Sequence, residues 1–104
     1  MDTRELILTE DARQDLRGIY EHIAEESPDA AAEFTEDLTR KIHWIAEVGF
    51  NGLNRDWVRE GLRIFPYRDR NIFFIIEGNR TIIMRVLGGS MDVSDALFNF
   101  NQDE

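Results

Sequence analysis

The sequence predicts an α+β domain in which an antiparallel helical hairpin packs on one face of an antiparallel β-meander. Three observations lead to this prediction. Two early stretches carry apolar residues at spacings of three and four, the later part of the chain alternates with a period of two, and turn-forming residues separate the alternating stretches. With 104 residues, we expect residues 1–104 to form one domain.

The first half of the chain predicts one strand and two helices. Glu5–Leu8 is a short apolar run that indicates an edge strand. The helix after it has its apolar residues on one face and should end near Glu26. Ser27 followed by Pro28 is typical of a helix start, and the second helix should end near Glu47. Because almost nothing separates the two helices, we expect them to form a hairpin.

The second half of the chain predicts a loop, a meander and a short terminal element. Residues 49–61 are rich in glycine and asparagine and indicate a loop. Three strands follow, at 62–65, 71–77 and 80–87. A turn at 66–69 and a two-residue hairpin at 78–79 should connect them. Residues 90–100 should form a short terminal helix or an irregular tail.

Composition excludes some kinds of site. The chain has no cysteine, so it can form neither disulfides nor thiolate zinc sites. Nothing in the sequence indicates a cofactor or a metal. The N-terminus lacks the apolar run of a signal peptide, and the longest apolar stretch, 72–76, is too short to cross a bilayer. We therefore expect a cytoplasmic protein without a membrane contact.

The charge is negative overall but unevenly distributed. The net charge is −9, yet residues 55–85 hold 7 arginines against 4 acids. Residues 1–54 hold 13 acids and 5 bases, and residues 86–104 hold 4 acids and no base. Affinity for phosphates comes from cationic contacts, and a chain with this net negative charge offers few of them. We therefore expect no sequence-specific nucleic-acid binding by the chain alone. An anionic partner should contact the arginine-rich block.

The end of the predicted meander carries a family resemblance. Residues 85–92 read Arg-Val-Leu-Gly-Gly-Ser-Met-Asp, and the strands at 62–65 and 71–77 precede them. Together with the helix pair, this order resembles the RelE/ParE toxin superfamily of type II toxin–antitoxin systems over about residues 6–98. The resemblance implies a β-α-α-β-β-β fold and a toxin that is neutralised by a ParD-like antitoxin, with which it forms a hetero-oligomer.

Two branches of this superfamily differ in their target. RelE-like members cleave messenger RNA in the ribosomal A site with basic residues on the sheet and, in many, a C-terminal tyrosine. ParE-like members poison DNA gyrase and have no established catalytic residues. Here Gly89, Ser90, Met91 and Phe98 occupy the positions of the basic and tyrosine residues, which favours the ParE-like branch. The sequence also departs from a common ParE-like pattern, with Gly88 in place of histidine and Met91 in place of arginine.

Three hypotheses therefore stay open. The first is a ParE-like inhibitor of DNA gyrase, which has no catalytic residue of its own. The second is a RelE-type ribonuclease, in which positive charge would come from Arg63, Arg68 and Arg85 and acid–base chemistry from Tyr67. The third is a non-toxic module that only binds an antitoxin.

Arginines and aromatic residues are the candidates for contact with partners. The target-facing candidates are Arg55, Trp57, Arg59, Arg63, Arg68, Arg70 and Arg85. The antitoxin-binding candidates are Trp44, Phe50, Trp57, Leu97, Phe98 and Phe100. For each aromatic residue, an ordinary place in the core is an equal alternative. Arg85 stands in an otherwise apolar strand, where it should either pair with Asp92 or Glu77 or contact a partner.

Overall fold

The computed structural model describes residues 3–56 and 59–88 and confirms the predicted α+β fold. Its elements are β1 (Glu5–Leu8), α1 (Glu10–Ala24), α2 (Pro28–Val48), β2 (Leu53–Asn54), β3 (Arg63–Tyr67), β4 (Arg70–Glu77) and β5 (Arg80–Gly88). The strand β2 was not predicted, because it is a two-residue pairing inside the predicted loop. The predicted terminal helix or tail at 90–100 lies outside the described residues. Among the described residues, no helix is both long enough and apolar enough to span a membrane.

The helices begin and end where their capping residues lie. The Thr9 hydroxyl accepts a hydrogen bond from the amide of Ala12, and Ser27 caps α2 in the same way. The helix α2 ends at Gly49, whose left-handed φ of 66° suits glycine. The helix α1 ends at Ala24, two residues before the predicted end, because the chain must turn before the cap of α2.

The sheet has the order β1-β5-β4-β3-β2 and is mixed. The strand β1 lies at the edge, as predicted, and pairs in parallel with β5. The other neighbouring pairs are antiparallel. The parallel pair arises because the helical hairpin carries the chain back across the sheet before the meander begins.

The strand β3 is longer than the sequence predicts. Pro66 and Tyr67 were expected in a turn but extend β3, where they pair with Asn71 and Arg70. Proline is tolerated there because β2 pairs only with the first two residues of β3, so that no described strand pairs with Pro66 on that side. The turn is therefore only two residues long, and its first residue, Arg68, has a positive φ of 50°.

Apolar side chains pack on both faces of the sheet. The face under the helices holds a buried cluster that includes Leu38, Ile42, Ile45, Ile72, Phe74 and Ile83. The opposite face holds Leu62, Ile64, Phe73 and Leu87. The strand β4 contributes to both clusters, which confirms its predicted central position. Gly52 makes room for the core at the end of the loop: a Cβ atom at this position would lie 2.7 Å from the ζ carbon of Phe74.

Candidate functional site

Aromatic side chains from α2, the residue after its C-cap and β3 form a continuous, partly exposed surface at the border of the core, here called the ledge. The ledge consists of Lys41, Trp44, Phe50, Phe65 and Tyr67. Ring centroids lie 5.4 Å apart for Trp44–Phe50, 5.1 Å for Phe50–Phe65 and 6.1 Å for Phe65–Tyr67. These distances are typical of interacting aromatic pairs. Phe65 and Tyr67 lie two apart on β3 and share one face of the sheet, Lys41 and Trp44 lie three apart on α2, and Phe50 follows the C-cap of α2.

Lys41 places a positive charge on the ledge. Its ammonium nitrogen lies 4.6 Å from the ring centroid of Trp44, 5.2 Å from that of Tyr67 and 5.8 Å from that of Phe65. All three distances lie within the range of cation–π attraction. Within the described part of the chain, no carboxylate lies in ion-pair distance of this ammonium group. Lys41 is also the single lysine of the sequence.

Asp37 joins α2 to the end of β3. The Tyr67 hydroxyl donates to its carboxylate at 2.8 Å, and the Arg68 guanidinium donates to the same oxygen at 2.9 Å. Arg40 lies 3.7 Å from the other oxygen. The hydrogen bond from Tyr67, followed by that from Arg68, lowers the pKa of Asp37 below its usual value. The hydrogen bond to Asp37 raises the pKa of Tyr67.

The β3–β4 turn holds two arginines against one aromatic ring. The guanidinium carbons of Arg68 and Arg70 lie 4.9 and 5.6 Å from the ring centroid of Phe34. Arg68 has a positive φ although it is not glycine. This backbone conformation costs energy, which other contacts of the residue must offset. Its ion pair with Asp37 and its contact with Phe34 are such contacts. The Nε atom of Arg70 is buried and has no hydrogen-bond acceptor among the described residues.

The outer side of α2 carries a shallow groove that shares Trp44 with the ledge. The groove is lined by Thr35, Glu36, Thr39, Arg40, His43, Trp44 and Glu47. The Thr35 and Thr39 hydroxyls donate to the carbonyls of Ala31 and Thr35 in their own helix. Because these hydroxyls are already bonded, the threonines contribute mainly apolar surface to the groove.

The sequence predicted that Arg85 pairs with Asp92 or Glu77 or contacts a partner. Its pairing with Glu77 is not observed, and Asp92 lies outside the described residues. The Nε and Nη2 atoms of Arg85 instead donate to the two carboxylate oxygens of Asp15 on α1, at 2.7 and 2.9 Å. The amide of Val86 donates to the same carboxylate at 2.9 Å. A register shift in the β4–β5 pairing accompanies this arrangement, because Phe73 pairs with Arg85 and the next residue pairs with Ile83. The irregularity lets Arg85 reach α1.

The remaining arginine candidates lie at the other end of β3. Arg63 donates to the carbonyl of Asn51 at 3.1 Å, and Arg55 donates to the carbonyl of Asn54. Arg59 is half-buried. Asp56 closes the same loop: hydrogen bonds from the Asn54 side chain and then from the Gly61 amide lower its pKa.

The structure thus divides the predicted candidates into separate groups. Trp44 and Phe50 come together on the ledge, and Arg68 and Arg70 lie beside it. The candidates Trp57, Leu97, Phe98 and Phe100 lie outside the described residues. The sequence interpretation missed Phe34, Asp37, Lys41 and Asp15. A signal existed for Lys41, since it lies three residues before Trp44 on one helix and is the only lysine. Among the described residues, no group of three acidic, histidine or cysteine side chains could hold a metal ion.

Comparison with known proteins shows the family. The sequence model of the family described as ParE toxin of the type II toxin–antitoxin system, parDE, matches residues 6–93. A solved structure described as the chromosomal ParDE toxin–antitoxin system from P. aeruginosa is similar in fold, with a TM-score of 0.69 and 22% sequence identity. The similarity covers 83% of this chain and 96% of that chain. None of the curated proteins compared with the sequence matches it significantly. The chain belongs to the ParE toxin family of type II toxin–antitoxin systems.

Proposed function

We propose that this protein inhibits DNA gyrase by direct binding and that an antitoxin neutralises it by covering the ledge. The observation that carries the proposal is membership in the ParE toxin family over residues 6–93. The ParE-like branch is the one whose members poison gyrase. The similar fold from P. aeruginosa comes from a ParDE system, which supports a protein antitoxin as partner.

The geometry of the ribonuclease candidates favours this proposal over RNA cleavage. Arg63 and Arg68 lie five residues apart at the two ends of β3, which is about 16 Å along an extended strand. Arg85 is 18% exposed and is bound to Asp15, and the Tyr67 hydroxyl is bound to Asp37. A general acid and base must both reach the reacting atoms, and these side chains do not converge on one point. The hydroxyl proton of Tyr67 is also already donated to Asp37, a hydrogen bond that raises the pKa of Tyr67.

The exposure of Trp44 supports a role for the ledge as the antitoxin site. Trp44 is 36% exposed and is one of three large exposed hydrophobic residues among those described. Tryptophan, tyrosine and arginine are the residues that most often carry the energy of a protein interface. Trp44 lies on α2, and Tyr67 and Arg68 lie against the same helix through Lys41 and Asp37.

A supercoiling assay tests the gyrase proposal directly. Purified protein is added to gyrase and relaxed plasmid, and we expect supercoiling to fall in proportion to its concentration. The variant Arg63→Gln should weaken the inhibition, because Arg63 is a target-facing candidate at the loop. The variant Arg13→Gln is a matched control that removes one exposed charge from α1. Supercoiling that is unaffected by a large excess of folded protein would rule out gyrase as the target.

Pulse-labelling in cells separates the proposal from its alternatives. When the chain is induced alone in a bacterial host, DNA synthesis should fall before protein synthesis. If protein synthesis falls first, the target is the translation machinery and the ribonuclease interpretation replaces ours. If neither falls, the chain is a module that only binds an antitoxin.

A further inference from the structure

The outer side of β1 has no partner among the described strands. The strand β1 is the last in the sheet order and pairs on one side only, with β5. The amides of Glu5 and Thr9 donate to carbonyls in and next to β5. Successive residues of a strand point their backbone groups alternately to its two sides. The N–H and C=O groups of Leu6 and Leu8 therefore point away from β5, to the outer side of β1.

The two edges of the described sheet differ in how they are protected against pairing with another chain. Proteins commonly block a strand edge with proline, lysine or a bulge. At one edge, β2 covers the start of β3, and Pro66 further along β3 has no N–H to donate. The strand β1 has no such protection, because it reads Glu-Leu-Ile-Leu and pairs with β5 in an unbroken register. This contrast indicates that the β1 edge is suited to accept a further strand.

A row of isoleucines runs to the same edge on the sheet face away from the helices. Ile7 pairs with Ile82, and Ile82 pairs with Ile75, so the row crosses β1, β5 and β4. All three side chains are half-buried. Leu6 and Leu8 pack against the core under the helices, which places Ile7 on the other face. Among the described residues, neither apolar cluster includes Ile7. The row therefore reaches the edge with an apolar side chain that no cluster covers.

We propose that two copies of this chain associate through their β1 edges, as an antiparallel pair of strands centred on Ile7. In this register Leu6 lies opposite Leu8 of the partner subunit, and each such pair exchanges two hydrogen bonds through its outward backbone groups. The two Ile7 residues meet at the two-fold axis in a pair without hydrogen bonds, with Cα atoms about 4.5 Å apart. The isoleucine row then continues from one sheet into the other. A second copy fits this edge because the edge is complementary to itself, with donors opposite acceptors and isoleucine opposite isoleucine. The inference does not depend on the gyrase proposal.

Sedimentation velocity of the full chain, from about 1 to 200 μM, tests for this dimer. Each copy contributes only a strand of 4 residues, which makes the interface smaller than a standard one. We therefore expect a weak dimer with a Kd on the order of 10–100 μM. Both copies carry a net charge of −9, so a higher salt concentration should strengthen the association by screening their repulsion. A chain that stays monomeric at the highest concentration, in low and in high salt, would overturn the proposal.

Charges introduced at the axis identify the edge. Ile7→Lys and Ile7→Glu each place two like charges opposite each other and remove the apolar contact, so each should weaken the dimer roughly tenfold or more. An equimolar mixture of the two variants should associate more strongly than either variant alone, because opposite charges then face each other across the axis. Leu53→Lys is the matched control, since it adds the same charge at a 50% exposed residue of the opposite edge and should leave the dimer unchanged. Thermal unfolding shows that each variant is folded. Folded variants that associate like the unmodified chain, or that the mixture does not rescue, would overturn the proposal.

Disulfide cross-linking gives a second readout, since the chain has no cysteine. A disulfide joins residues whose Cα atoms lie about 4.4–6.8 Å apart, and the proposed Ile7 pair meets this condition. Under mild oxidation with glutathione disulfide, Ile7→Cys should form a covalent dimer faster than Leu53→Cys, which can react only by random collision. Equal rates of cross-linking would overturn the assignment of the axis to Ile7. Faster cross-linking through Leu53→Cys would overturn it as well and would assign the interface to the β2 edge.

Discussion

The ion pair between α1 and β5 gives the sharpest prediction about stability. Asp15 and Arg85 make two hydrogen bonds of 2.7 and 2.9 Å, and Asp15 also accepts the Val86 amide. The two side chains are 13% and 18% exposed. Removing one partner of a fully buried pair costs about 3–5 kcal/mol, because the remaining charge loses the compensation that the pair supplied. Since water reaches this pair in part, we expect about 2 kcal/mol for Asp15→Asn and a similar cost for Arg85→Met.

A double-mutant cycle measures the interaction itself. Urea unfolding followed by circular dichroism gives the free energy of unfolding of both single variants and of the double variant. The double variant should lose at least about 1 kcal/mol less than the sum of the singles, since it removes both charges of the pair at once. A single loss of about 2 kcal/mol should lower the melting temperature by about 10 °C in a domain of this size. Single costs below about 0.5 kcal/mol, or additive costs, would refute the structural role of the pair.

The same set of variants tests whether Arg85 contacts the target. If the role of Arg85 is structural, the Arg85→Met variant should inhibit gyrase as strongly as the unmodified protein does. The comparison is made at a temperature where the variant is folded. A folded Arg85→Met variant that no longer inhibits would show that the guanidinium contacts the target.

Three further predictions follow from single contacts. Gly52→Ala should destabilise the fold by about 2 kcal/mol, because the new Cβ would lie 2.7 Å from a carbon of the Phe74 ring and the backbone φ is 71°. Gly18 has open space around it, so Gly18→Ala should stabilise α1 by about 0.5–1 kcal/mol. Chemical unfolding of the two variants measures both changes. Thr9→Ala should lower the free energy of unfolding by about 1–2 kcal/mol, since the Thr9 hydroxyl both caps α1 and donates to β5. Thr9→Ser keeps the hydroxyl, so thermal unfolding should show most of the original stability. The Asp37–Tyr67 contact should stabilise the fold between the two ordinary pKa values, 3.8 and 10.0, and its contribution should be lost as pH falls through the lowered pKa of Asp37 or rises through the raised pKa of Tyr67. A stability difference between Tyr67→Phe and the unmodified protein that stays constant from acid to alkaline pH would contradict this last prediction.

The elements that the sequence predicted correctly are those with strong local signals. Ser27 and Pro28 fix the start of α2, and the two-residue turn at Gly78 fixes the β4–β5 hairpin. The end of β3 was wrong because Pro66 is a turn residue by local preference. Its place in β3, beyond the residues that pair with β2, depends on tertiary pairing that the local pattern does not contain.

The candidate site was predictable only in part. Trp44 and Phe50 were selected as antitoxin-binding candidates, and the two rings lie together on the ledge, with Phe50 also packed against the core. The partner of Arg85 was missed because Asp15 lies 70 positions away, on a helix whose acids all resemble a solvated surface in the sequence. Lys41 was missed for a similar reason: a single lysine on a charged helix gives no sign of the rings on β3 that surround it.

The arginine-rich block of the sequence is not one surface in three dimensions, and this bears on the kind of target. Arg63 lies with the loop at the start of β3, Arg68 and Arg70 lie at its far end against Phe34, and Arg85 points towards α1. A polyanion such as RNA binds tightly where many cations line one continuous path. Here the cations are divided by about 16 Å of strand. They are also partly neutralised by acids of the same chain. A protein target requires only a local patch with matched shape, and each group of arginines can supply one. The distribution of charge on the described residues therefore supports the proposal of a protein target over RNA.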